Sequence, residues 1–245
     1  MAINYAEMIK KHRKNKREII KKTKSIFAES IKKLENQERL LLDFIINCHD
    51  NVTMNDNNQF FFLVNLYSDA LQSGSVTRKL ILEGEYSAAG ALMRNIFETM
   101  LLIEFLCKKQ DNWKDWFEYQ RINEDEKATS FKEKSSRLKK LIGKFAVSGF
   151  INNRSDIAVK ENYRWTYAYL CSFPHTSMER LRRRTLGTDK GFLVYFTAQF
   201  NEDIAKYYLN TLFTLIDTIH SDFCVTFKPI KYPYLLKRYD SLKNK

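Results

Sequence analysis

Glycine and proline are scarce, with seven and three residues in a chain of 245. An all-β fold draws heavily on both for its tight turns, so that class is disfavoured. Phosphate-cradling loops are missing as well. Neither G-x-G-x-x-G nor G-x-x-x-x-G-K-[ST] occurs, which argues against Rossmann and P-loop chemistry. The G-x-S-x-G elbow of a Ser/His/Asp hydrolase is also absent. The four cysteines, Cys48, Cys107, Cys171 and Cys224, form no C-x-x-C pair, which disfavours structural zinc. Their apolar neighbours suggest reduced core thiols. No apolar run approaches the ~20 residues needed to span a bilayer. Leu40 to Ile46 and Met100 to Leu106 are broken by Asp43 and Glu104. The N-terminus, Met1 to Glu7, has no apolar stretch or cleavage site of a signal peptide, so a cytoplasmic protein is expected.

What the chain does contain is apolar bulk and positive charge. Apolar residues make up 44% and charged residues 29%, a globular balance with enough material for one core. The formal net charge is +12. From Lys10 to Arg39 there are twelve cations: Lys10, Lys11, Arg13, Lys14, Lys16, Arg17, Lys21, Lys22, Lys24, Lys32, Lys33 and Arg39. They face four acids, Glu18, Glu29, Glu35 and Glu38, for a net +8. Such a field attracts RNA, DNA or an anionic membrane surface, although a charge run is also the ordinary solvated face of a helix.

Periodicity predicts helices throughout. Ile20, Phe27, Leu34, Leu41 and Cys48 recur every seven residues, with Ile31 and Ile45 on the same stripe. This predicts one long helix with a single seam, which Lys24 and Glu38 interrupt. His49 to Asn58 reads as a loop. A second helix is expected from Gln59 to Glu83, with Phe60, Leu63, Val64, Tyr67, Leu71 and Leu80 inward. Ser73-Gly74-Ser75 is a potential break within it, and Gly84 its stop. Ala88, Ala89, Ala91, Leu92, Ile96, Met100, Ile103 and Leu106 mark a third helix, expected at the centre of the bundle. Trp113, Trp116 and Phe117 open a fourth, as core or interface anchors. Arg121 to Lys140 reads as an exposed helix pair, and Gly143 to Asn153 as a looser connection. A helix through Tyr163, Trp165, Tyr167 and Tyr169 should end before Pro174. Thr176 and Glu179 have capping-box spacing, predicting a helix start near residue 176. Gly187 to Gly191 reads as a turn. Leu193 to Phe196 is strand-like in composition but has no evident partner, so helix is expected from Phe192 to Phe227, ended by Pro229 and Pro233.

Arg94 and Glu98 stand four residues apart among Leu92, Met93, Ile96, Phe97 and Met100. Ionised groups in such a setting need partners. His175, between Pro174 and the expected helix start, is the candidate third member, with Tyr167, Ser172 and Thr176 as nearby hydroxyls. The arginines at 180, 182, 183 and 184 match phosphate oxygens in type, and Tyr167, Tyr169 and Phe173 can stack on bases or fill the core. Asp217 and His220 have helical ligand spacing. A dimetal bundle needs two such units and further carboxylates, so no metal is expected.

The run Gly84-Glu85-Tyr86-Ser87-Ala88-Ala89-Gly90-Ala91-Leu92-Met93-Arg94-Asn95-Ile96-Phe97-Glu98 resembles the signature of an uncharacterised all-helical bacterial family, a domain of unknown function. Tyr169-Leu170-Cys171-Ser172-Phe173-Pro174-His175 is similar to that family's helix end followed by histidine. The likeness covers roughly residues 60 to 225. It implies a helical bundle and an association with bacterial defence or toxin settings. More broadly, the chain resembles the HEPN superfamily of helical, often dimeric ribonucleases. Their Arg-then-His motif is not matched here, since Arg164 lies too far upstream of His175. The resemblance implies metal-free cleavage, with histidine as acid or base and arginine stabilising the phosphorane. Arg94 or Arg180 would then meet His175 through the fold or across a dimer. The competing reading is a buried Arg–Glu–His network that fixes helix register.

The expectation is therefore an all-α fold: one bundle of six to eight helices over 59–228, a long basic helix over 1–50, and a basic tail over 229–245. The leading function is RNA binding, favoured over DNA, with a metal-independent endoribonuclease as its catalytic form and no cofactor. Lys14, Arg17, Lys21, Lys24, Arg180, Arg182, Arg183 and Arg184 are the expected nucleic-acid contacts. Arg94, Glu98 and His175 are the expected catalytic group. The rival is a non-catalytic protein whose N-terminal helix mediates homodimerisation or docks a protein partner. A membrane-surface role is a third option, disfavoured by the lack of a Trp/Phe-rich apolar face on that helix.

Overall fold

The structure, a computed structural model, describes residues 5–50, 58–108, 112–118, 147–152, 155–171, 185–188, 191–194 and 200–227. Eight helical segments lie among them, and the fold is an all-α bundle. Its helices are α1 (Tyr5–Ile26), α2 (Ala28–Asp50), α3 (Asn58–Leu82), α4 (Tyr86–Lys108), a short segment over 112–118, α5 (Val147–Asn152), α6 (Ile157–Cys171) and α7 (Glu202–Phe227). Between α6 and α7 lies a small antiparallel hairpin, β1 (Thr185–Thr188) with β2 (Gly191–Val194), in which Thr185 faces Val194 and Thr188 faces Gly191.

The predicted long N-terminal helix is two helices that meet at Phe27. The Phe27 N–H still donates to the Thr23 carbonyl and the Ile31 N–H to the Phe27 carbonyl, both at 2.9 Å. The chain therefore bends without losing those bonds. One turn earlier the Thr23 hydroxyl donates to the Ile19 carbonyl at 2.9 Å, a back-bond of the kind that bends helices. The seam beyond the bend is as expected, with Phe27, Ile31, Leu34, Leu41 and Ile45 buried. Charge separates at the same point. Nine cations and two acids lie on α1, but three cations and five acids on α2.

α3 runs unbroken through Ser73-Gly74-Ser75. At Gly74 the two helices approach closely: a Cβ would stand 2.9 Å from Ile216 Cδ1 of α7, whose side chain would have to shift. Gly84 stops α3 as expected. At φ 74° it is left-handed, its N–H donates to the Ile81 carbonyl at 3.1 Å, and Glu85 donates to Leu80 at 2.9 Å. This pair of bonds satisfies carbonyls that the helix end leaves open.

α4 packs against α3, α5, α6 and α7 and buries Ala89, Gly90, Met93, Ile96, Phe97, Met100, Ile103 and Leu106. Ala88, expected inward, is exposed. α7 lies against α2, α3 and α4 through Tyr208, Leu212, Ile216, Ile219 and Phe223. Each large apolar side chain so buried contributes roughly 1.5–3 kcal/mol. Asn201 caps α7, accepting from the Ile204 N–H at 2.9 Å, and Asp156 caps α6, accepting from Val159 at 3.1 Å.

Five expectations are corrected. Gly191–Val194 is a strand, because β1 supplies the partner that inspection of the sequence missed. Gly149 lies inside α5, whose Ile151 is buried, so 147–152 is not a loose connection. α6 begins at Ile157 rather than near Tyr163, since Asp156 caps it. Cys107 is exposed at the last turn of α4 and Cys171 is half-buried, so neither is a core thiol, whereas the half-buried Cys224 packs against the core. α2 also continues through His49 and Asp50. Residues 119–146, the helix start expected near residue 176 and the tail over 229–245 lie outside the described residues.

Candidate functional site

Arg94 and Glu98 meet as their spacing predicts. Arg94 Nε donates to Glu98 Oε1 at 2.7 Å. They sit at the edge of the bundle rather than inside it, with about a quarter of the Arg94 side chain and a third of the Glu98 side chain exposed. The third member is Tyr167 of α6. Its hydroxyl donates to Glu98 Oε1 at 3.2 Å and accepts from Arg94 Nη2 at 3.3 Å. The guanidinium carbon lies 5.5 Å from the Tyr167 ring centroid. The three groups thus close a ring of hydrogen bonds between α4 and α6.

Neighbouring aromatics hold the ring in place. Phe97 stacks on Tyr167 at 6.1 Å and meets the edge of Tyr163 at 5.3 Å. Tyr163 donates to Glu104 Oε1 at 3.4 Å, one and a half turns along α4. Burial pushes the Tyr167 hydroxyl up to about 12, with the Cys171 thiol and the Glu98 carboxylate adding to the rise and Arg94 opposing it. Tyr167 therefore stays protonated and is a donor at neutral pH. The bond to Glu98 raises the Arg94 guanidinium further, against the effect of burial.

His175, Ser172, Thr176, Phe173, Arg180, Arg182, Arg183 and Arg184 lie outside the described residues. Trp165, in the same aromatic run of α6, is three-quarters exposed.

The N-terminal cations have a defined setting. Lys14, Arg17, Lys21 and Lys24 are exposed on α1, and with Lys10 they recur at i, i+4, i+7, i+11 and i+14. That spacing places them on one helix face. The opposite face carries Lys16, Ile19 and Thr23, which face the bundle. Lys16 is clamped to the turn between α3 and α4, at 3.1 Å from Glu83 and 3.0 Å from Glu85. Burial works to lower the Lys16 ammonium, but the hydrogen bonds and charges of Glu85 and Glu83 outweigh it, and its pKa is raised. Lys22 lies 4.2 Å over the Phe200 ring. Lys14 also approaches the exposed Glu18 at 4.0 Å.

Two polar clusters escaped the sequence reading. Glu38, which interrupts the apolar seam, is buried because Arg78 of α3 reaches it. Arg78 Nη2 donates to Glu38 Oε2 at 3.0 Å, Nε donates to Oε1 at 3.2 Å, and Nη1 donates to Glu35 at 2.8 Å. The Ser75 hydroxyl adds a bond to Glu38 Oε2 at 3.3 Å. The second cluster joins α2 to α7. Gln37 Nε2 donates to Asp217 Oδ1 at 3.0 Å, and Gln37 Oε1 lies 3.2 Å from Nδ1 of the buried His220. A carboxylate accepts and does not donate, so the bond to Asp217 fixes the amide orientation. Oε1 then faces the imidazole, and Nδ1 carries the proton. Asp217 and His220 thus share an amide partner. Among the described residues, no group of three or more His, Cys, Asp or Glu is placed to hold a metal ion. A signal for both clusters was present, since a lone polar residue inside an apolar heptad or run marks a buried bond, but it does not name the partner.

The all-α bundle with its Arg–Glu–Tyr ring belongs to DUF5677, a family of unknown function whose model matches residues 60–192. The match includes Arg94, Glu98, Tyr167 and His175 and leaves out α1, α2 and α7. Comparison with curated proteins and with solved structures gives no match. Among the described residues no helix is long and apolar enough to cross a membrane.

Proposed function

We propose that this chain binds RNA along the outer face of α1 and serves in a bacterial defence or toxin setting. The observation that carries the reading is the placement of Lys14, Arg17, Lys21 and Lys24. All four are exposed on one face, opposite the face through which Ile19 and Thr23 anchor the helix. A polyanion has access to the cations while the helix stays attached to its bundle. The neighbouring helix α2 carries more acids than cations, so the attractive field belongs to α1. The defence setting comes from the family resemblance alone.

In its catalytic form the reading makes the protein a metal-independent endoribonuclease. The His175 imidazole takes the proton of a 2′-hydroxyl, whose oxygen attacks the adjacent phosphorus; the bond from phosphorus to the 5′-oxygen breaks, a 2′,3′-cyclic phosphate forms, and the leaving 5′-oxygen takes its proton from water. Arg94 faces the charge on the phosphorane while Glu98 holds the guanidinium in position. Among the described residues, hydrogen bonds use two of the five N–H donors of Arg94, to Glu98 and Tyr167, which supports a role toward phosphate.

The test is binding of the full chain to labelled RNA of mixed sequence, with cleavage followed in the presence of a chelator. Affinity is expected to fall steeply with salt and to vanish when Lys14, Arg17, Lys21 and Lys24 are all changed to Glu, with helicity retained. Cleavage is expected to disappear in His175→Ala. Binding without cleavage leaves an RNA-binding protein. No RNA binding, with the four substitutions altering oligomeric state instead, identifies α1 as a protein-docking or dimerisation element.

A further inference from the structure

We infer that the ligand of α1 is double-stranded RNA, held through its backbone without regard to sequence; this rests on the RNA reading above. The first observation is what the exposed face lacks. Residues 9–26 contain no Phe, Tyr or Trp. The ring most able to stack on a base there, His12, is half-buried. Proteins that hold single strands gain much of their affinity by stacking bases on aromatic side chains. Residues 9–26 of α1 themselves supply no such platform.

The second observation is the order of the charge. Lys10, Lys14, Arg17, Lys21 and Lys24 place a cation on every turn of one continuous helix. Their span of fourteen residues is about 21 Å of straight rod. A rigid row of cations matches a rigid row of phosphates better than it matches a chain that must be ordered on binding. A duplex also carries the denser charge, and each phosphate neutralised on it releases more counterion than on a single strand. The row is built from cationic side chains, which suit phosphate but carry no base code when they stop at the backbone.

A membrane surface is the other polyanion to weigh. A helix lying in a bilayer interface buries its apolar face among lipid. Among the described side chains of α1, Ile19 is buried in the bundle and Ile20 half-buried, and the exposed Ile9 and Ile26 stand seventeen positions apart, off the cationic face, so they form no apolar face for a bilayer.

The experiment compares four probes against the full chain: two duplex RNAs of unrelated sequence, one of their single strands, and vesicles of mixed neutral and anionic phospholipid. For five phosphates, log affinity against log salt is expected to fall with a slope of about −4.5 on duplex, a roughly 500-fold loss over a fourfold rise in salt. The two duplexes should bind within about threefold of each other, and the single strand more weakly than either. The salt slope is read on the unaltered protein, so it does not depend on any variant folding. Equal or tighter binding to the single strand, or a strong preference for one duplex, overturns this inference and leaves the RNA reading standing. Binding to no RNA, or to vesicles alone, overturns both.

Discussion

The Tyr167 hydroxyl lies 3.2 Å from Glu98 Oε1, joining two helices whose residues are 69 positions apart in sequence. The bond turns a local ion pair on α4 into a tertiary lock on α6. The carboxylate accepts from both Arg94 and Tyr167, and the phenol stays protonated beside it.

Alkaline pH should loosen this lock. Tyr167 and Tyr86 are both raised above the usual 10.0, Tyr86 by burial against the weaker pull of the Asn201 backbone. Lys16 is raised above 10.5. Each folded group keeps its proton to a higher pH than the unfolded one. The stability they contribute is therefore complete below about pH 10 and is lost as pH rises toward 12. Urea midpoints should be flat from neutral pH to about 10 and fall beyond it. Tyr167→Phe should cost about 1 kcal/mol at neutral pH and make the alkaline fall shallower. An unchanged alkaline slope in that variant would remove Tyr167 as a source.

Arg78 forks onto Glu38, which is 7% exposed, and also reaches Glu35. Arg78→Ala leaves a buried carboxylate without its cation and should cost about 3 kcal/mol in chemical denaturation. Replacing both partners, Arg78→Met with Glu38→Leu, should recover most of the loss, because the desolvated charge goes with its partner. If the double variant is as unstable as the single one, packing rather than charge is the reason for the pair.

Gln37 serves Asp217 and His220 together, across 180 and 183 positions of sequence. Gln37→Leu keeps most of the volume and removes the amide, and should destabilise the fold by about 2–3 kcal/mol. Gln37→Glu offers an acceptor to His220 but sets a carboxylate against Asp217. It should fall between the native protein and Gln37→Leu in stability. A fully stable Gln37→Leu protein would show that the α2–α7 contact, in which Phe44 packs on Phe223, does not depend on the amide.

Periodicity carried most of the fold into view. The α2 seam and the Arg94–Glu98 pair depend on spacings of a few residues, which helix geometry converts directly into neighbours, and the Gly84 stop follows from the ease with which glycine turns left-handed. The hairpin is not legible in either segment alone, because strand pairing joins two: Gly191–Val194 becomes a strand only beside Thr185–Thr188. The bend at Phe27 was missed because the seven-residue pattern passes through it undisturbed.

The amino-acid sequence by itself determined an all-α protein, a strongly cationic first helix and an ion pair on the fourth. Tertiary structure alone decided that Tyr167 completes that pair, that Arg78 makes Glu38 tolerable in the seam, and that Gln37 joins Asp217 to His220. It also decided that the cations of α1 face outward. Helical periodicity fixes what stands beside a residue one or two turns away; which helix lies against it depends on how whole apolar faces pack, and no local spacing encodes that.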